Sequence, residues 1–176
     1  EKVLTTFKRV KDYTDKNANG RDWNLATAMV IKGEAGMQLM GDWAKGEFTA
    51  AGKVPGKDYI CLPAPGTKGA FTFNIDSFIM FEQKSADARD AQRALASSIM
   101  EPQFQEVFNL NKGSIPARTG MPMGKFDQCA KDSSSEFESS ARSKKLVPSW
   151  AHGMAMPASA QGAMFDVVTQ FMNSNM

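Results

Sequence analysis

The 176-residue sequence holds a single histidine and only two cysteines. One histidine is too few for a Cys/His zinc site, and Cys61 and Cys129 lie too far apart for a two-cysteine redox motif. No metal and no cofactor is expected. Long apolar runs are missing as well. Stretches such as Phe78–Phe81 are strand-sized, far short of the roughly 18 residues a membrane-crossing helix needs. Charge of one sign is equally scarce. The net charge is +2, and the densest basic group, Arg142, Lys144 and Lys145, reads as a solvated helix end. Nucleic acid is a poor partner for such a surface, because phosphate binding clusters cations on one face.

Catalytic signatures are also lacking. No Gly-x-Ser-x-Gly elbow, His-Glu-x-x-His helix or Gly-x-Gly-x-x-Gly loop occurs. The stretch from Gly120 to Phe126 imitates a phosphate loop but is one residue short. Pro122 removes a backbone donor there, and Phe126 stands where a hydroxyl is required. His152 is the sole imidazole, and no serine or cysteine sits in a recognisable nucleophile motif beside it. Its bland alternative is a surface histidine or one bonded to a backbone carbonyl. Carboxylates are plentiful, yet no spacing sets two across a cleft as a glycosidase needs. The protein is not expected to be an enzyme.

What is present is a succession of helices and short strands. Val3, Phe7, Val10 and Tyr13 give a first helix its apolar face, closed by Asn17, Asn19 and Gly20. A second helix is predicted over 23–32, with Leu25, Met29 and Val30 inward and Gly33 at its end. Met37–Met40 reads as a buried strand, and Gly41-Asp42-Trp43 opens another helix with Asp42 as N-cap. Tyr59–Leu62 is strand-like until Pro63, Pro65 and Gly66 break it. Phe71–Phe81 is the clearest strand, aromatic and β-branched at both ends. Ser85 caps a helix through Ala88, Ala91, Leu95 and Ile99, and Pro102 opens the next, with Phe104, Val107 and Phe108. Gly113, Pro116 and Gly120 mark an irregular connection. The span 132–143 is polar and Ser-rich, either an exposed helix or a loop. Met164, Phe165, Val168, Phe171 and Met172 recur at helical spacing up to the end of the sequence. Helical patterning at Glu1 and again at the last residues reads as a fragment cut at both ends. Strands separated by helices point to an α/β arrangement.

The two cysteines leave two readings open. In an oxidising compartment Cys61 and Cys129 would pair, closing a long loop worth about 4 kcal/mol in the chain-entropy model. Two separate buried thiols is the equal alternative.

The remaining polar and aromatic residues suit a neutral polyol. A pyranose presents an apolar C–H face and a ring of hydroxyls, so it needs an aromatic plate and hydrogen-bonding groups around it. Charged groups make the stronger bonds. Trp43, Asn74, Asp76, Lys112 and His152 supply this chemistry near element ends or breaks. Taken singly, Trp43 is more often core, Asp76 a turn cap and Lys112 a solvated helix-end charge. Asp76 stands out, because a carboxylate within an apolar strand needs a partner. Asn74 shares its parity and would face the same way.

Two stretches resemble a known family. Lys32-Gly-Glu-Ala-Gly-Met-Gln-Leu-Met-Gly-Asp-Trp43 is similar to a segment of extracytoplasmic sugar-binding proteins in which a helix, a strand and a Gly-Asp-Trp turn meet at the cleft. Phe104-Gln-Glu-Val-Phe-Asn-Leu-Asn-Lys-Gly-Ser-Ile-Pro-Ala-Arg118 resembles the helix and turn that follow in the same family. The nearest likeness is to glucose/mannose-type solute-binding proteins of ABC importers. That resemblance implies a periplasmic-binding-protein-like, two-lobe α/β fold closing on its ligand by a hinge. It implies that residues 1–176 form the C-terminal portion, mostly one lobe with returning segments, without the N-terminal lobe or signal sequence. It carries to Trp43 as the stacking aromatic, to Asn74 and Asp76 as hydroxyl-binding groups, and to Lys112 and His152. A monosaccharide would be the ligand and permease subunits the partner, the membrane being reached only through them. The location would be periplasmic, or extracellular and tethered. The competing classes are a carbohydrate-active hydrolase using Asp76 with Glu34 or Glu47, and a receptor for a non-sugar solute such as an amino acid or polyamine.

Overall fold

The computed structural model describes residues 2–174. Glu1, expected to open the first helical pattern, and the last two residues, where the final pattern runs out, lie outside them. Along the chain come α1 (Lys2–Lys11), α2 (Trp23–Lys32), α3 (Ala44–Ala50), β1 (Phe71–Phe73), α4 (Ala86–Met100), α5 (Pro102–Lys112), α6 (Gln128–Arg142), β2 (Leu146–Pro148) and α7 (Ala158–Asn173). Helix thus dominates, with a two-stranded sheet of β1 and β2. The strands are parallel: Phe71 N–H donates to the Lys145 carbonyl (3.1 Å) and Ser149 N–H to that of Phe73 (2.8 Å). The α/β expectation survives only in this reduced form, and two lobes are not delineated.

The chain divides into two compact units. One comprises Glu1–Asp22, Thr72–Asn74 and Val147–Met176 and contains α1 and α7. Within it the Lys11 ammonium donates to the Met172 carbonyl, and Lys8 lies 5.7 Å from the centre of the Phe171 ring. Helix α1 stops sooner than its pattern suggested. Tyr13 falls in the turn beyond it and is 89% exposed rather than part of an apolar face.

The other unit, Trp23–Phe71 and Ile75–Leu146, holds the small core. Ala44, Phe48, Phe126 and Ala130 are its buried apolar residues. Helix α3 packs on α2 and α5, and α4 on α5. Several inward-facing assignments are reversed here. On α2 the buried residue is Thr27, while Leu25 is exposed. The Thr27 hydroxyl bonds the Trp23 carbonyl (3.0 Å) and Gln38 Oε1 (2.8 Å). Helix α5 buries Gln105 and Asn109 and leaves Phe104, Val107 and Phe108 partly exposed. Gln105 earns its burial by bridging elements: its Nε2 donates to the Ile99 carbonyl (2.9 Å), and its Oε1 accepts from Ala117 N–H (3.0 Å). On α4, Leu95 is exposed.

Three strand assignments fail for one reason. Met37–Met40 is irregular, Tyr59–Leu62 makes only a single bridge through Tyr59 to Pro55, and the strand from Phe71 ends at Phe73 instead of Phe81. A strand exists only where a neighbouring backbone supplies a ladder. Lys145–Ser149 supplies one as far as Phe73. Beyond it, Ile75, Phe78, Ile79, Met80 and Phe81 run exposed.

Local chemistry near helix ends follows the sequence more closely. Ser85 accepts the Ala88 amide at 3.2 Å, Pro102 opens α5, and Gly113 closes it. The span 132–143 is helical, as part of α6, whose N-cap Asp127 accepts from Ala130 N–H at 2.8 Å. Cys61 and Cys129 form a disulfide, with Cα atoms 5.7 Å apart. Free thiols are thereby excluded, and the bond ties the 61 loop to the first turn of α6.

Candidate functional site: two docked turns

The Gly41-Asp42-Trp43 turn and the Lys112–Pro116 turn, 70 residues apart in sequence, lie directly against each other. Their backbones approach too closely for side chains between them. A Cβ on Gly46 would fall 2.7 Å from the Lys112 carbonyl oxygen, and one on Gly113 would fall 2.6 Å from the Gly46 nitrogen. Gly113 also has φ +91°, a left-handed helix-ending conformation that other residues adopt at a cost. The Trp43 indole folds back over Gly41, where an added Cβ would meet the ring at 2.1 Å. Glycine at 41 therefore lets the half-buried indole lie on the backbone and sets its orientation.

Asp42 does not cap α3 as its position suggested. Trp43 occupies the cap position and makes no side-chain cap bond. The Asp42 carboxylate turns to the other segment, where Oδ2 accepts from Ile115 N–H at 3.1 Å. Burial pushes its pKa above the ordinary value. The Ile115 amide, Lys45, the Ser114 side chain and Lys112 oppose that shift without cancelling it.

The sequence-predicted residues fall in two groups. Asp76 and Lys112 are brought together in the larger unit, with Lys112 Nζ donating to Asp76 Oδ2 at 2.5 Å. Lys112 Nζ also stands 5.8 Å from the Phe108 ring centre. The Asp76 side chain is 71% exposed and that of Lys112 is 32% exposed, so the pair borders solvent. Such an exposed pair contributes little to stability. What it offers is a carboxylate and an ammonium held together at the mouth of the docked turns.

Asn74 and His152 belong to the smaller unit. Asn74 lies one residue past β1, so strand alternation does not place it with Asp76 as expected. His152 Nδ1 is 2.7 Å from the Ser149 hydroxyl. Trp150 tilts against Phe165 with ring centres 4.8 Å apart. Gln161 Nε2 secures this loop by donating to the carbonyls of Trp150 (3.0 Å) and Ala151 (3.1 Å).

Sequence reasoning passed over the group beneath the docked turns. Lys45 is buried, and its ammonium bonds both carboxylate oxygens of Asp127 at 2.8 and 2.7 Å. Tyr59 stacks on Phe48 with centroids 4.2 Å apart. Burial, aided by Asp127, pushes the Tyr59 phenol up to about 12. No local signal singled out the buried lysine, because α3 alternates small or apolar residues with Lys45, Glu47 and Thr49. In the abortive phosphate loop, Lys125 pairs with Glu106 at 2.6 Å and Phe126 is buried. Among the described residues, no three His, Cys, Asp or Glu side chains cluster as a metal site would require. No helix among the described residues is long and apolar enough to cross a membrane.

Comparison with known proteins gives a consistent class of relatives, bacterial and archaeal extracytoplasmic binding proteins. The chain is 50% identical over 176 residues, its whole length, to a probable sugar-binding periplasmic protein of Brucella suis. It is 49% identical over 179 residues to a probable sugar-binding periplasmic protein of Rhizobium meliloti. To an uncharacterized ABC transporter extracellular-binding protein of Pyrococcus horikoshii it is 37% identical over 174 residues. The chain spans 42%, 43% and 38% of these relatives, less than half of each. No family model matches it.

Proposed function

We propose that this chain is the C-terminal portion of the solute-binding component of an ABC sugar importer, which captures a monosaccharide such as glucose or mannose. The observation that carries the reading is the Asp76–Lys112 pair set at the docked turns that also carry Trp43. A carboxylate and an ammonium offer charge-assisted bonds to sugar hydroxyls, and an indole whose tilt is set by Gly41 offers a plate for the C–H face. The names of the relatives support the same class and a periplasmic location. In this reading the second lobe comes from the length that the relatives have in addition. Affinity near micromolar, about −8 kcal/mol, would allow both capture and release to a permease. The hydrolase reading is weaker, because Asp76 is already engaged by Lys112 and would be a poor partner in an acid–base pair.

Calorimetric titration of the intact parent chain, second lobe included, with glucose, mannose, galactose and maltose tests the proposal. Trp43→Ala and Asp76→Ala should each weaken binding at least about ten-fold. No heat with any of the sugars would sink the receptor reading. Unchanged affinity in both variants would move the site elsewhere.

A further inference from the structure

The Asp42 carboxylate takes no part in the proposed sugar contacts, yet it lies at the seam between the two turns that supply them. Ile115 precedes Pro116, and a residue before proline is driven out of helical conformation. Its N–H therefore needs an acceptor from elsewhere, and Asp42 Oδ2 is that acceptor at 3.1 Å. On the same residue, the Asp42 carbonyl accepts from Lys45 N–H at 3.0 Å and lies 3.1 Å from where a Cβ on Gly113 would stand. One residue thus ties the start of α3 to the turn after α5. Gly46 and Gly113 bring the two backbones close beside it. The carboxylate is held there although burial disfavours its charge. Such a costly placement is better explained by what it holds than by its own stability.

We propose that Asp42 is the positioning residue of the candidate site: by accepting the Ile115 amide it holds the turn carrying Lys112 against the turn carrying Trp43. The inference rests on the reading that Trp43, Asp76 and Lys112 bind sugar. It adds that their spacing is set by an acceptor outside the contact set.

The test compares Asp42→Ala, which removes the acceptor, with Asp42→Asn, which keeps an oxygen in the same place. Three quantities are read on the intact parent chain, second lobe included: amide exchange at Ile115, sugar Kd, and the resonances of the Trp43 indole and Lys112 amide. In Asp42→Ala, Ile115 exchange should accelerate about ten-fold or more, and Kd should rise about ten-fold. Both resonances should move. Asp42→Asn should bring all of these back to within about three-fold of the unaltered chain. A purely structural residue would lower thermal stability without this rescue pattern in Kd. Wild-type Ile115 exchange or unchanged Kd in a folded Asp42→Ala chain would overturn the proposal. So would an Asn variant as impaired as the Ala variant. If Asp42→Ala does not fold, Asp42→Ser, whose hydroxyl falls short of the amide, carries the same expectations. If the unaltered chain is heat-silent with every sugar, the functional reading fails, and Ile115 exchange with the two resonances judges the positioning role alone.

Discussion

Two regions of the larger unit have similar apolar character and opposite fates. Around α3, Phe48 and Ala44 are buried with Phe126 and Ala130, beside a disulfide and a Lys45–Asp127 pair whose lysine is buried. From Ile75 to Phe81 the sequence is at least as hydrophobic, yet Phe78, Ile79 and Phe81 are each more than 70% exposed. The difference lies in what each meets. Around α3, α2, α5 and α6 supply surfaces; past Phe73 no described backbone continues the ladder. Apolar composition makes burial favourable but does not provide the partner.

The sharpest way to break this contrast is to truncate one aromatic from each region. Phe48→Ala should cost about 3 kcal/mol, read as a lowered denaturant midpoint, because it removes a buried ring stacked on Tyr59. A cost below about 1 kcal/mol would show that the α3 region is not a core. Next in size, Gly113→Ala should cost about 2 kcal/mol through its positive φ and the 2.6 Å approach to the Gly46 nitrogen. The loss should be accompanied by weakened sugar binding, since both turns shift. Retained stability would mean that the two turns are not docked.

A smaller effect is expected from Asp42 as pH changes. Its folded pKa is raised, so the folded state binds the proton more tightly than the unfolded chain does. Its ionisation therefore opposes folding above the folded value. That opposition is relieved as pH falls through the raised value toward the ordinary 3.8. Denaturation at a series of pH values should show this slope, and Asp42→Asn should flatten it. Identical pH profiles for the two chains would refute the shift. Smallest of all, Phe78→Ser should change stability by less than about 0.5 kcal/mol, measured by the same denaturation, and should raise solubility. A loss above about 1 kcal/mol would mean that the 75–81 stretch is packed after all.

The sequence was legible wherever one residue acts on its immediate neighbours. Ser85 and Pro102 start their helices where expected and Gly113 ends one, because caps and backbone preferences operate within a turn. The helical patterns of α2 and α7 were readable for the same reason. Their buried faces were not. Thr27 on α2 and Gln105 on α5 are inside because Gln38 and the Ile99 carbonyl happen to face them. Among the candidate residues, Asp76 was expected to need a partner within a strand; it lies beyond β1 with its side chain 71% exposed, and it pairs with Lys112 at the surface. That the partner is Lys112 required the fold, since 36 residues separate them. Asp42 was misread as a cap because its acceptor role lies 73 residues away.

By itself, then, the sequence determined where several helices start and stop, and the set of polar and aromatic residues from which a site can be built. The tertiary structure decided which cysteines pair, where strands stop, and which of those residues meet. Caps, breakers and residue chemistry act over a few bonds and are written locally. Strand ladders, the Cys61–Cys129 bond and the docking of the Trp43 turn on the Lys112 turn depend on chain segments brought together from far apart, and no local pattern encodes that meeting.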